Sequence, residues 1–208
     1  FSLQMMEEQR CRLLRLLEQE LARPEGTWED HVEAFFWMVL RHRDHGILVM
    51  TQREEAELSG MGTTLTVLWA GEREIYLAHV GDSRAYLLRE GAFTQVTRDH
   101  SLVQELVEQG VLTQEQAAHH PMRNVITRAV GTDETVEVDM ITRERCKGDM
   151  WLLCSDGLSG MVSDEEMAGI LRECAPEAAA DRLLQAALDH GGRDNISFVI
   201  LKDQEGAQ

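Results

Sequence analysis

Basic residues are scarce in this chain: 20 Lys and Arg stand against 37 Asp and Glu among 208 residues, a net charge of −17. An acidic excess of that size repels phosphate backbones and anionic lipid headgroups, which argues against nucleic acid and membrane surfaces as partners. Long apolar runs are missing too. The longest stretch without Asp, Glu, Lys or Arg is Leu58 to Gly71, which includes Thr and Gly and is too short and too polar to cross a bilayer. No basic segment followed by an apolar run opens the chain, so no secretory leader is read there. Phe1 stands where an initiating Met is expected, which leads us to expect residues upstream. Cysteine is sparse and irregularly spaced, at Cys11, Cys146, Cys154 and Cys174, with no C-x-x-C pair. Zinc is therefore not implied, and reduced, buried thiols in a cytoplasmic protein are expected. No internal repeat or low-complexity segment is present.

What the chain does contain is 43% apolar residues in periodic clusters, enough to build a core and to set disorder aside. One domain over residues 1–208 is expected. Leu13, Leu14, Leu17 and Leu21 fall at helical spacing, so residues 3–22 read as an amphipathic helix ended by Pro24 and Gly26. Thr27 and Asp30 resemble a capping box opening a second helix, with Val32, Phe35, Phe36, Val39 and Leu40 on its apolar stripe. The cluster Phe35, Phe36 and Trp37 reads as core packing before partner docking.

From Thr63 onward β-branched and aromatic residues dominate. Strands are expected at Thr64–Trp69, Glu74–Val80, Arg84–Arg89 and Phe93–Val96, joined as an antiparallel meander. Helical spacing returns from Asp99 to about His120, and with the segment to Gly131 it reads as an inserted subdomain at about 99–131. After a connecting stretch, Asp149–Cys154 is a nearly all-apolar strand suited to burial on both faces. Ser163 and Glu166 cap a helix to about Cys174, another runs from Pro176 to His190, and Asn195–Leu201 is the last strand. This order argues for an α+β sandwich with segregated layers, not a regular βαβ wind.

Three carboxylates sit at element edges beside small residues: Asp99, Asp156 in Ser155-Asp156-Gly157, and Asp194 in Gly192-Arg193-Asp194-Asn195. Taken singly, each is a turn former whose side chain bonds its own backbone. Taken together, Asp156 ends an apolar strand and Asp194 begins one, so neighbouring strands would present both at one sheet edge. Oxygen-only ligands without Cys or convergent His select hard ions, Mg²⁺ or Mn²⁺. Such ions suit phosphoryl chemistry, where two of them can activate a shared water and neutralise charge on the phosphate.

Six segments then occur in order: Gly60-Met61-Gly62-Thr63-Thr64, His79 to Tyr86 around Gly81-Asp82-Ser83-Arg84, Thr97 to Ser101, Asn124 to Gly131, Leu153 to Leu158, and Gly191 to Ser197. Together they resemble the metal-dependent, protein phosphatase 2C-like serine/threonine phosphatases, and Val111 through Arg128 is similar to the flap of the bacterial members. The resemblance implies a four-layer α-β-β-α sandwich with metals at one end of the cleft between its sheets. It implies Asp156 and Asp194 as ligands of a two-metal centre of Mn²⁺ or Mg²⁺, and Asp99 as a ligand, with Asp156, of an additional ion. It also implies hydrolysis of phosphoserine and phosphothreonine through a metal-activated water, on a phosphoprotein made by a serine/threonine kinase. Asp82 and Arg84 read as structural residues of a hairpin turn.

The family's opening strands do not appear in the 208 residues. With them go the Asp-Gly-X-Gly-Gly turn that supplies a bridging aspartate and the arginine that binds phosphate. Two readings follow. Either the strands precede Phe1, which is favoured, or the protein lacks them and has a bare strand edge that a second copy of the chain, as a homodimer, is a candidate to cover. The absence makes the activity of the chain as written an open expectation. The alternative is a catalytically inactive phosphatase-like module for protein binding or dimerisation.

Overall fold

The computed structural model describes residues 62–133 and 135–204, and the two expected N-terminal helices, with the aromatic cluster at Phe35 to Trp37 and Cys11, lie outside them. The chain divides into two compact units. One comprises Phe1–Gly62 and Val130–Val136. The other, Thr63–Ala129 with Glu137–Gln208, carries every named strand and helix.

Among the described residues, seven strands make two antiparallel sheets. Strands β1 (Leu65–Ala70), β2 (Glu74–Val80) and β5 (Asp139–Glu144) form the first, in the order β1-β2-β5. Strands β3 (Arg84–Arg89), β4 (Ala92–Gln95), β6 (Met150–Cys154) and β7 (Phe198–Lys202) form the second, in the order β4-β3-β6-β7. The expected single meander is thus corrected. β2 and β3 do not pair, because residues 81–83 carry the chain from one sheet to the other instead of closing a hairpin. A second correction concerns β5, where a connecting stretch was expected. Its sequence DMITRE is mostly exposed, so apolar contrast is weak, and pairing with β2 in the register Leu77↔Ile141 makes it a strand.

Alternation along the strands builds the layers. Ala85, Leu87 and Trp151 point from the second sheet toward Ile75 and Leu77 of the first, and all five are buried in one cluster between the sheets. The residues between them, Tyr86, Leu88, Met150 and Leu152, face the other way and pack against helices. Those helices are α3 (Asp156–Ser159), α4 (Asp164–Glu173) and α5 (Pro176–Asp189), which contribute Leu158, Met167, Leu171 and Leu183 to the same core. The architecture is α+β, with sheet, sheet and helix layers among the described residues. Burial of β6 on both faces matches its unbroken apolar sequence.

The stretch expected as one helix from Asp99 to His120 is two short ones, α1 (Leu102–Glu108) and α2 (Gln114–Ala118). Both start at hydroxyl caps: Ser101 accepts from the Gln104 amide, and Thr113 forms a reciprocal box with Gln116. Apolar periodicity ran across the break because Val111 kept the spacing, although it is 61% exposed. None of the described helices is long and apolar enough to cross a membrane. Of the described cysteines Cys154 is buried, with its thiol pushed up to about 12 by burial, while Cys146 and Cys174 are half-buried and all three are free.

Candidate metal centre

β6 and β7 are neighbours, with Cys154 opposite Phe198, so the loop that leaves β6 and the loop that enters β7 meet at one sheet end. Asp156 opens α3 directly after β6, and Asp194 lies in the loop four residues before β7. The two loops are sewn together. The Ser155 hydroxyl donates to the Asn195 carbonyl at 3.2 Å and accepts from the Ser197 amide at 3.1 Å, while the Ser155 amide donates to the Ser197 carbonyl at 2.9 Å. Gly157 completes the closure, since a Cβ there would stand 2.3 Å from the Asn195 carbonyl oxygen and only glycine admits so near a backbone.

Asp156 and Asp194 line one cavity of about 370 Å³, together with Asp99 and Asp82. All three aspartates expected from sequence are therefore brought to the same space, and a fourth joins them. Asp82 comes from the turn that switches sheets. Burial raises its pKa first, and the charge of Asp156 raises it further. That is the response of a carboxylate drawn out of water with a second carboxylate nearby, and sequence reading missed Asp82 by treating 81–84 as a hairpin. The available signal was that β2 and β3 are apolar on both faces, which fits strands of two packed sheets better than one solvated hairpin.

Asp99 differs from its neighbours in the cavity. Arg84 grips it as a fork, Nε donating at 2.9 and 3.0 Å to the two carboxylate oxygens and an Nη at 2.7 Å, while the Gln95 amide donates to Oδ1 at 2.9 Å. Arg84 also donates to the Tyr86 hydroxyl at 3.0 Å, and that hydroxyl donates to Asp164 at 2.9 Å. Burial works against the Arg84 charge, yet its bonds to Asp99 raise its pKa. Arg84, expected to hold a hairpin turn, instead ties Asp99 to Tyr86. In this arrangement Asp99 is engaged by protein donors, and it would have to share or exchange them to reach an ion.

Behind the turn, the Gly81 amide donates to His100 Nδ1 at 3.0 Å and the His100 amide donates back to the Gly81 carbonyl at 2.8 Å. An amide can only donate, so Nδ1 is the bare nitrogen and Nε2 carries the proton, 3.1 Å from Asp139. Arg128 holds the other oxygen of Asp139 at 2.8 Å. His79, fully buried, is placed between the Thr66 hydroxyl at 2.9 Å and the Arg98 carbonyl at 3.0 Å. Burial lowers the pKa of both rings, and for His79 the neighbouring His100 lowers it further.

The carboxylates of the cavity are chemically suited to a hard divalent cation, being negatively charged oxygen donors that share one space. Among the described residues no three acidic, His or Cys side chains stand close enough to hold an ion unaided, so a full coordination shell needs more oxygen donors than these.

The family model described as Protein phosphatase 2C matches residues 10–190. The chain is 49% identical over 147 residues to the serine/threonine protein phosphatase PstP of Mycobacterium tuberculosis, covering 70% of this chain and 28% of that protein. It is 40% identical over 156 residues to the serine/threonine phosphatase stp of Listeria monocytogenes, covering 74% and 62%. The chain thus spans about a quarter of one relative's length and under two thirds of the other's. The crystal structure of the mycobacterial PstP superposes with a TM-score of 0.80 at 38% identity, covering 93% of this chain and 80% of that one. The PstP catalytic domain in complex with two manganese ions superposes at 0.74, with 36% identity and coverage of 90% and 79%. The chain belongs to the protein phosphatase 2C family.

Proposed function

We propose that this chain is the working part of a metal-dependent protein serine/threonine phosphatase that hydrolyses phosphoserine and phosphothreonine esters with Mn²⁺ or Mg²⁺. The observation that carries the reading is the convergence of Asp156 and Asp194 from adjacent strand ends on one cavity. In this reading Asp156 and Asp194 hold the ions, Asp82 adds a further carboxylate, and Asp99 contributes by releasing part of its grip on Arg84. Bound there, Mn²⁺ or Mg²⁺ would acidify water and neutralise phosphate charge. Ser155 and Gly157 keep the two loops at fixed separation, and the segment around Arg123 and Asn124 walls the cavity. The substrate is a phosphoprotein produced by a serine/threonine kinase, and the cytoplasm is the proposed compartment.

The test is phosphate release from a phosphothreonine peptide by the full chain across a Mn²⁺ titration. Saturable, metal-dependent release is expected, and none at any Mn²⁺ concentration would sink the reading. A second reading, a phosphatase-like module that binds a partner without catalysis, draws on the engagement of Asp99 by Arg84. Calorimetry separates the two: the enzyme requires saturable Mn²⁺ binding that Asp156→Asn abolishes, and the module predicts no binding.

A further inference from the structure

Three guanidinium groups line the same cavity as the aspartates, those of Arg84, Arg123 and Arg193. Arg84 is spent on Asp99 and Tyr86. Arg123 makes one long bond, to the Ala118 carbonyl at 3.3 Å. Arg193, by contrast, makes no hydrogen bond or ion pair among the described residues, although it is next to Asp194 in the chain and the protein carries a net charge of −17. Of the exposed arginines, Arg98 and Arg182 are tied to Glu108 and Glu173, whereas Arg193 stands at the rim of a carboxylate-lined cavity with its donors uncommitted among the described residues.

Its position is set by the backbone. Gly191 and Gly192 leave α5 with φ of +113° and +49°, and a Cβ on Gly191 would lie 3.8 Å from both Cγ and Nε of Arg193, so the side chain runs alongside that turn. The result is a planar fork of N–H donors with no protein acceptor among the described residues, on the rim of a space large enough for one phosphorylated side chain.

We propose that Arg193 binds the phosphoryl group of the substrate, with Arg123 as a weaker second contact. This assignment rests on the phosphatase reading above. A phosphate monoester is a dianion near neutral pH, and a guanidinium offers it two parallel N–H···O bonds that a lysine cannot reproduce. The carboxylates beside it would repel that dianion, so an unpaired cation at the rim offsets the repulsion where the ester enters. Arg193 thereby acts on binding and orientation and leaves cation binding to the aspartates.

The test uses the full chain with Mn²⁺, p-nitrophenyl phosphate and a phosphothreonine peptide lacking acidic neighbours, and the variants Arg193→Ala and Arg193→Lys. Arg193→Ala should raise KM for both substrates, and the inhibition constant of inorganic phosphate, by about tenfold, the size expected for loss of a charge-assisted pair. Turnover should change less, Mn²⁺ binding by calorimetry should stay as in the native chain, and Arg193→Lys should recover part of the loss. If KM and phosphate inhibition stay within twofold of the native values, the assignment is wrong. An effect on the peptide alone, with p-nitrophenyl phosphate and inorganic phosphate unchanged, would overturn it as well, placing Arg193 on the peptide and not on the phosphoryl group. Calorimetric titration of inorganic phosphate needs no turnover. Should the native chain prove inactive, the phosphatase reading falls, while equal phosphate binding by native and Arg193→Ala protein separately refutes the role of Arg193, and a tenfold weaker binding upholds it.

Discussion

Asp99 and the pair Asp156 and Asp194 border one cavity, yet their surroundings differ. The carboxylate of Asp99 is 12% exposed and accepts from Arg84 and Gln95 on both oxygens. Asp156 and Asp194 are exposed, Asp194 Oδ1 accepting one bond from the Asn195 amide at 2.7 Å, and what holds them in place is their loops: Ser155, Gly157 and the backbone of Asn195 and Ser197. A carboxylate saturated by protein donors stabilises the fold, whereas one positioned by its backbone and left open keeps its lone pairs for a ligand. The same residue type in the same space therefore divides into a carboxylate that ties the fold together and must be partly released to reach an ion, and two that are already open, according to where their hydrogen bonds go.

The sharpest way to break this comparison is to remove one member of each kind. Asp194→Ala should cost on the order of 10²-fold or more in Mn²⁺-dependent phosphate release while leaving thermal stability near that of the native chain, because an open carboxylate contributes little to folding. If activity survives, the division fails at its functional end. Next in size is Gly157→Ala. The added methyl meets the Asn195 carbonyl oxygen at 2.3 Å, a backbone atom that cannot move alone, so the loops must part at a cost of roughly 1–3 kcal/mol. Mn²⁺ affinity measured by calorimetry should fall by about tenfold along with stability, the scale seen when support for metal ligands is lost. Unchanged affinity would mean that loop spacing does not govern the site.

Arg84→Gln probes the structural member. It leaves Asp99 partly buried without its cation, which should destabilise the fold by about 2–3 kcal/mol, below the figure for fully buried pairs because Arg84 is 27% exposed. Denaturant unfolding checks it. A loss confined to activity, with stability intact, would move Asp99 into the company of Asp156 and Asp194.

How much of this could be read from the chain depended on where the determining contacts lie. The bounds of β2 and β3 were legible because apolar residues fill both strands and Gly or Asp punctuates them. The approach of Asp156 to Asp194 was legible because each adjoins an apolar strand. The sheet switch at 81–83 was not, since a hairpin and a change of sheet present the same local sequence and only burial of both faces separates them. β5 was lost for the reason edge strands often are: half its residues are charged, and its identity comes from the partner β2. The fork of Arg84 on Asp99 spans fifteen residues and depends on the sheet switch, so no spacing rule reveals it.

The smallest expected effect is one of pH, and it tests whether the wall behind Asp82 is held by neutral histidine. His79 has its Nε2 proton on the Arg98 carbonyl and its Nδ1 facing the Thr66 hydroxyl, with no solvent exposure, so the neutral ring is satisfied and a charged one is not. Burial, and then His100, lowers its pKa in the folded state below the usual 6.5. The unfolded chain therefore binds the proton first as pH falls. The stability that the neutral ring contributes is complete above about pH 6.5 and drains away as pH drops through that value toward the folded pKa, by at most about 1.4 kcal/mol per pH unit for one proton. Unfolding midpoints of the native chain should thus fall between pH 7.5 and 5.5. His79→Gln, which keeps a donor for the Arg98 carbonyl but cannot titrate, should be less stable at pH 7.5 and show a flatter decline. A decline as steep in His79→Gln as in the native chain would assign the pH dependence to other groups, His100 beside Asp139 first among them.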